Sequence, residues 1–218
     1  MKITISTGNT KLGKVHNISL PPIVTCNKNA PCKQLCYGLK SWKMYKAVRD
    51  SWQGNLDYWN AAPLDFMTEI SLFIRTHKVE RFRWHVAGDI PSKAYFDGMR
   101  MVANANPGTQ FLAFTKQYQF ITTGTIPQNL RFVVSMWPGY IKALGATTPG
   151  AMTAVYNTLT DRAAIAWMRP AEPSDDVWYN EMINTTVKLE SLDCSGKCDE
   201  CFMCWHMDRG TSVVFDQH

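Results

Sequence analysis

Between Cys36 and Cys194 the sequence has no cysteine at all, although the chain carries seven. It also lacks a dense Lys/Arg run, an apolar stretch of membrane-spanning length, an internal repeat, a low-complexity tract and a clear linker. Each absence excludes something. Without a spanning stretch, and with a beginning (Met1-Lys2-Ile3-Thr4) that has no apolar signal-peptide core, the expectation is a cytoplasmic protein with no membrane partner. In that compartment thiols stay reduced, so clustered cysteines point to metal or catalysis before disulfides. The net charge of +5, spread without a basic run, permits a nucleic-acid partner but does not argue for one.

What is present is unevenly distributed. At 218 residues, 45% hydrophobic and 19% charged, the chain can bury one sizeable core. Three cysteines, Cys26, Cys32 and Cys36, stand in one group, and four, Cys194, Cys198, Cys201 and Cys204, in another. Core cysteines scattered for packing would not divide this way. Close thiolate spacing is what a soft metal or an iron–sulfur cluster requires.

Periodicity supplies the expected elements. The apolar run Leu20–Val24 reads as an edge strand leading into Cys26, because Pro21 and Pro22 forbid a helix. Turn formers between Cys26 and Cys36 let the backbone fold back so that three sulfurs converge. Lys28 and Lys33 there either offset thiolate charge or are solvated loop residues. Trp42, Tyr45, Val48, Trp52, Leu56 and Trp59 mark one core-facing helix from about 39 to 60, ended by Pro63. Phe66, Ile70, Phe73, Ile74 and His77 define a second, with His77 a dipole-compensating surface residue. Strands are expected at Arg81–Val86, Phe111–Lys116, Leu130–Ser135, Thr153–Tyr156, Ala164–Met168 and Thr211–Phe215. Ser92 is read as the N-cap of a helix that buries Tyr95, Phe96, Met99 and Val102. The stretch 170–193 reads as polar and irregular.

Strands alternating with helices favour an α/β fold, a single domain over 1–218 with a mainly parallel sheet, open or as a partial (β/α) barrel. Residues 194–205 are expected to form a cysteine-rich metal-binding extension packed on it. In such folds functional residues gather at the carboxyl ends of strands. That rule selects His85, Gly88, Asp89, Thr115, Lys116, Ser135, Met136 and Trp137 to face one site beside the Cys26 loop. The plain alternatives are a hydrogen-bonded core histidine, a surface lysine and a turn carboxylate.

The late motif Cys194-x3-Cys198-x2-Cys201-x2-Cys204 is a compact run. Structural zinc commonly uses two close pairs separated by a longer span, so a cubane iron–sulfur cluster (4Fe-4S) is preferred here and zinc is the alternative. The early group has only three thiols. Its centre either takes a fourth ligand from elsewhere (His85, His206, His218 or a distant cysteine), leaves one iron open, or is shared with the late group.

The run Asn17-Ile18-Ser19-Leu20-Pro21 through Cys26, Cys32, Cys36 and Tyr37, then His85-Val86-Ala87-Gly88-Asp89, Phe114-Thr115-Lys116, the late cysteines and Val214-Phe215…His218, is similar to the phage family catalogued as gene product 88. The resemblance spans nearly the whole chain and implies a virus-encoded protein of the host cytoplasm, without a substrate or reaction. A looser similarity is to radical S-adenosylmethionine enzymes. Those carry three cysteines in a loop after the first strand and a glycine-rich acidic motif after the second. That likeness implies Cys26, Cys32 and Cys36 on a cluster with an open iron, and an auxiliary cluster on the late group. It also implies that Gly88-Asp89-Ile90-Pro91 receives the amine of S-adenosylmethionine; with the strand-end residues added, the expected cofactor-binding residues are Gly88, Asp89 and Trp137 and the expected catalytic ones His85, Asp89 and Lys116. The gaps differ, at five and three residues where that family has three and two, and Tyr37 follows the last cysteine where the family's aromatic precedes it. The rival class is a non-catalytic metal-stapled protein that binds nucleic acid or a host protein.

Overall fold

The computed structural model describes residues 2–8, 12–172, 174–188, 192–194 and 197–216. His218, a candidate ligand, lies outside the described residues. The chain runs β1 (His16–Ile18), α1 (Tyr37–Met44), α2 (Lys46–Ala61), α3 (Pro63–Thr76), β2 (Arg81–Trp84), α4 (Lys93–Ala105), β3 (Gln110–Thr115) and α5 (Tyr118–Ile121). It continues β4 (Leu130–Met136), α6 (Tyr140–Ala143), α7 (Pro149–Thr160), β5 (Ala164–Arg169), α8 (Val177–Lys188), β6 (Leu192–Asp193), α9 (Cys198–Cys201), α10 (Met203–His206) and β7 (Ser212–Asp216). The strands make one open seven-stranded sheet in the order β1-β2-β3-β4-β5-β7-β6. Every pairing within it is parallel.

That order decides which face each connection covers. From β1 to β5 the chain steps one strand at a time in one direction. Right-handed crossovers then put every connecting helix on the same face. Alternating strand residues supply the apolar surface for them. Phe82, Trp84, Phe111, Ala113, Phe132, Val134, Ile165, Trp167 and Val214 join side chains of α2 through α8 in the larger core. Burial of each such large side chain stabilises the fold by about 1.5–3 kcal/mol. The step from β6 back to β7 runs the other way. A right-handed crossover there falls on the opposite face, and its helices α9 and α10 carry the late cysteines. On that face Leu112, Val133, Ala164, Ala166 and Val213 pack against Trp205, Met207, Leu12 and Val15 in a second, smaller core.

Several local expectations need correction. The first strand is His16–Ile18, not 20–24. Pro21 and Pro22 lack the N–H that a ladder needs, and Ile23 turns the chain at φ 71°. The helix read from 39 to 60 is two, broken at Tyr45 (φ −115°, ψ 113°). Only the later part of its stripe, Leu56 and Trp59, is buried, while Tyr45 is exposed and Trp42 and Trp52 stack on each other half-buried, with centroids 6.2 Å apart. Thr153–Tyr156 belongs to α7, where Thr148 caps the Ala151 N–H, Pro149 sits at the first position and Met152 and Leu159 are buried one helical face apart. The stretch 170–193 contains α8 and β6. Asp176 Oδ1 accepts from Tyr179 N at 3.1 Å, and Trp178, Tyr179 and Ile183 are buried. Ser92 does cap α4, accepting from Tyr95 N at 3.2 Å, and the four expected side chains are buried. His77 ends α3 on the surface, its Nδ1 2.9 Å from the Phe73 carbonyl.

Candidate functional site

A cavity of about 320 Å³ opens at the carboxyl ends of the strands, on the face away from α2–α8. Cys26, Cys32 and Cys36 line it from the loop after β1, and Cys194, Cys198 and Cys204 line it from the crossover between β6 and β7. Cys201 is exposed and is not among the lining residues. The strand ends contribute His85, Gly88, Asp89, Thr115, Lys116, Ser135 and Trp137, so the carboxyl-end expectation brings these residues together beside the cysteine loop. Met136 points the other way into the larger core, and His206 is exposed at the end of α10. Among the described residues, no group of three or more His, Cys, Asp or Glu side chains converges closely enough to hold a metal ion.

The early loop is tied to β2 and β3 by a polar lattice. Thr25 Oγ1 donates to the Pro21 carbonyl at 2.7 Å and accepts from Asp89 N at 3.1 Å. Gln117 Nε2 donates to the carbonyls of Thr25 (3.3 Å) and Ile90 (3.0 Å), and Gln117 Oε1 accepts from Asn27 at 3.3 Å. Gly88, at φ 79°, permits the approach: a Cβ there would meet the Leu20 carbonyl at 2.6 Å and Thr25 Oγ1 at 2.7 Å. Within the loop, Lys33 Nζ donates to the Lys28 carbonyl at 2.6 Å, closing the turn around Pro31–Lys33. Neither lysine lines the cavity.

Asp89 is the knot of this lattice. Its Oδ1 accepts from Ile90 N (2.8 Å) and Thr115 Oγ1 (2.6 Å), and its Oδ2 from Lys116 N (2.8 Å). Burial pushes its carboxyl above the ordinary value, and these bonds oppose that rise. His85 is buried with a left-handed backbone (φ 54°), and its Nε2 lies 3.0 Å from Tyr95 Oη. Its Nδ1 is buried without a hydrogen-bond partner among the described residues. Burial, helped by the nearby Arg83 charge, lowers its pKa to about 3, so the ring is neutral at physiological pH. Lys116 Nζ sits 5.2 Å from the Trp137 ring centroid.

The late group is mounted differently. Phe202, in a left-handed conformation (φ 47°), separates α9 from α10 and turns the chain between Cys201 and Cys204. The Arg81 guanidinium carbon lies 4.1 Å from the Phe202 ring centroid. Trp205 is 1% exposed and anchors the smaller core. The segment is therefore not poor in core residues, as its polar sequence suggests: Trp205 and Met207 drive it into the sheet. Cys26 and Cys204 have thiols pushed up to about 12, in both cases chiefly by burial, then by the Asp89 charge at Cys26 and by Cys194 at Cys204. Any cationic centre bound there would have to displace protons.

Composition and motifs overlooked three contributors. Arg83 and Phe114 line the cavity, and the guanidinium carbon is 4.9 Å from the ring centroid. Tyr37 lines it too, its hydroxyl donating to the Val86 carbonyl. For Arg83 the signal was the alternation Arg81-Phe82-Arg83-Trp84: with Phe82 and Trp84 in the core, Arg83 must face the other side.

The family described as gene product 88 matches residues 3–207, and the chain belongs to that family. No curated protein and no solved structure matches the chain. Among the described residues, no helix is long and apolar enough to cross a membrane.

Proposed function

We propose that the chain is an iron–sulfur protein with chemistry of the radical S-adenosylmethionine type. In this reading Cys26, Cys32 and Cys36 hold one 4Fe-4S cluster, and Cys194, Cys198, Cys201 and Cys204 hold a second. The observation that carries the reading is that six of the seven cysteines line one cavity at the carboxyl ends of parallel strands. The early loop follows β1, and Gly88-Asp89 follows β2. The donor chemistry fits, since soft thiolates select clusters or zinc. Zinc draws four donors onto one point, whereas a four-iron core takes its thiolates from a wider perimeter.

When bound, a cluster with three protein thiolates would supply an electron and an iron position open to a cofactor's amine and carboxylate. The chain's own residues do the rest. Gly88 and Thr25 hold the cysteine loop against the β2 end. Asp89 uses three of about four acceptor positions on the protein, which leaves one for a cofactor ammonium. Phe114, Trp137 and Phe215 supply apolar walls that exclude water from the reacting volume.

Anaerobic purification followed by iron and sulfide analysis tests this. Roughly eight of each per chain are expected. Cys32→Ser and Cys198→Ser should each remove about half, from different centres. S-adenosylmethionine should change the EPR spectrum of the reduced wild type and release 5′-deoxyadenosine, and Cys32→Ser should abolish both effects. Zinc in place of iron would overturn the iron–sulfur reading. Full iron with no spectral response would overturn the enzymatic part and leave a metal-stapled protein.

A further inference from the structure

Two cations on the cavity wall, Arg83 and Lys116, form no ion pair among the described residues. Arg83 lines the cavity from β2, its Nε is buried without a hydrogen-bond partner among the described residues, and its guanidinium lies over the Phe114 ring. Among the described residues it takes part in no ion pair, whereas Arg81, two positions earlier on the same side of the strand, has Glu80 at 3.8 Å. Among the described residues neither carboxylate on the cavity, Asp89 or Asp216, forms an ion pair with Arg83. Asp89 accepts three hydrogen bonds, and Asp216 pairs with Arg169 at 2.9 Å. A second cation, Lys116, stands over Trp137 and likewise forms no ion pair among the described residues. Between these groups the walls are apolar, formed by Leu112, Phe114, Trp137, Ala166, Met168 and Phe215. Arg83 is half-buried with its Nε shielded from water, and a partly desolvated cation favours an anion beside it.

We infer that this cavity binds a small molecule carrying a carboxylate or phosphate on a flat apolar body, with Arg83 as its counter-ion. The guanidinium carbon lies 4.9 Å from the Phe114 ring centroid, and a guanidinium can offer two parallel N–H donors to an oxyanion. The apolar walls take the body, and about 320 Å³ is within the range of small-molecule sites. Lys116 offers a second contact for a doubly charged group. The inference needs only the arginine and the cavity, so it stands or falls separately from the iron–sulfur reading. The competing role for Arg83 is to offset thiolate charge at the late cysteines.

The test uses the full chain as isolated anaerobically. Benzoate, phenyl phosphate and the uncharged benzamide are titrated by calorimetry and tryptophan fluorescence, and iron is measured in every sample. Wild type should prefer one of the two anions to benzamide by about tenfold or more, as a charge-assisted contact gives. The better of the two anions identifies the headgroup class. Arg83→Gln should abolish the preference, Arg83→Lys should retain only part of it, and benzamide binding and iron content should not change. If Arg83→Gln does not fold, the partial loss in Arg83→Lys carries the result. The inference is overturned if wild type binds neither anion, if it shows no preference for charge, or if the preference survives both substitutions. It is also overturned if the variants lose iron together with anion binding, since Arg83 would then serve the thiolates. A charge preference that depends on Arg83 in protein free of iron would keep the inference and remove the iron–sulfur reading.

Discussion

The early cysteine loop is fastened by hydrogen bonds, from Thr25, Gln117 and Asp89 to neighbouring strand ends, while the late cysteine segment is fastened by Trp205, Met207 and Phe202 packed on the sheet. Both deliver thiols to one cavity, yet through different physics. Polar tethers fix positions but contribute modest net stability, about 0.5–1.5 kcal/mol each. An apolar plug contributes more energy and less directional control. The polar lattice therefore suits a loop whose positions are set directionally, and the plug suits a segment that closes the sheet's bare face.

The comparison breaks most forcefully at Trp205. Trp205→Ala should destabilise the chain by about 3–5 kcal/mol in urea melts, because it removes the anchor of the smaller core. Hydrogen exchange in any remaining native protein should rise across α9, α10 and β7 and stay unchanged in the loop at 25–36. Equal loosening of both segments would show that they are one cooperative unit.

Acid should attack the early side first. The folded pKa of His85 is about 3 against an ordinary 6.5, so the unfolded chain takes up the proton first as pH falls. The stability associated with neutral His85 is complete above about pH 6.5 and is lost progressively toward pH 3, on the order of 5 kcal/mol in the limit. His85→Gln should flatten that limb of the stability–pH curve. An unchanged curve would remove His85 as the acid-sensitive group.

Gly88→Ala should cost about 2 kcal/mol, from the left-handed backbone and the closed gap to Leu20 and Thr25. Chemical labelling of Cys26 should accelerate while that of Cys204 stays constant. The smallest effect is expected at Arg81→Met, which loses the contact with the Phe202 ring for about 0.5–1 kcal/mol. Its labelling change should be confined to Cys201 and Cys204, and a change at Cys26 would argue that the two mounts communicate.

Strong local patterns were legible without coordinates. The alternation in Arg81–Trp84, the Ser92 cap and the buried positions of α4 are set by neighbours in sequence. Where local signals were weak, the long-range fold overrode them. Thr153–Tyr156 has strand-forming residues but is helical because Thr148 and Pro149 start a helix whose buried side chains meet β5. The stretch 170–193 gave a polar average that concealed Trp178, Tyr179 and Ile183. At the site, sequence spacing found the cysteines and strand ends found His85, Asp89, Lys116 and Trp137. They missed Arg83, which lines the cavity and forms no ion pair among the described residues.

By itself the sequence determined the α/β class, the two cysteine groups and the strand termini near them, since these rest on period, spacing and turn chemistry. Only the tertiary structure decided that both groups meet. β1 to β5 advance in one direction and carry their helices to one face, but the chain passes β7's position to form β6 and must step back. With the hand of crossovers fixed by strand twist, that reversal alone sends the late cysteines to the opposite face, where the loop after β1 already waits.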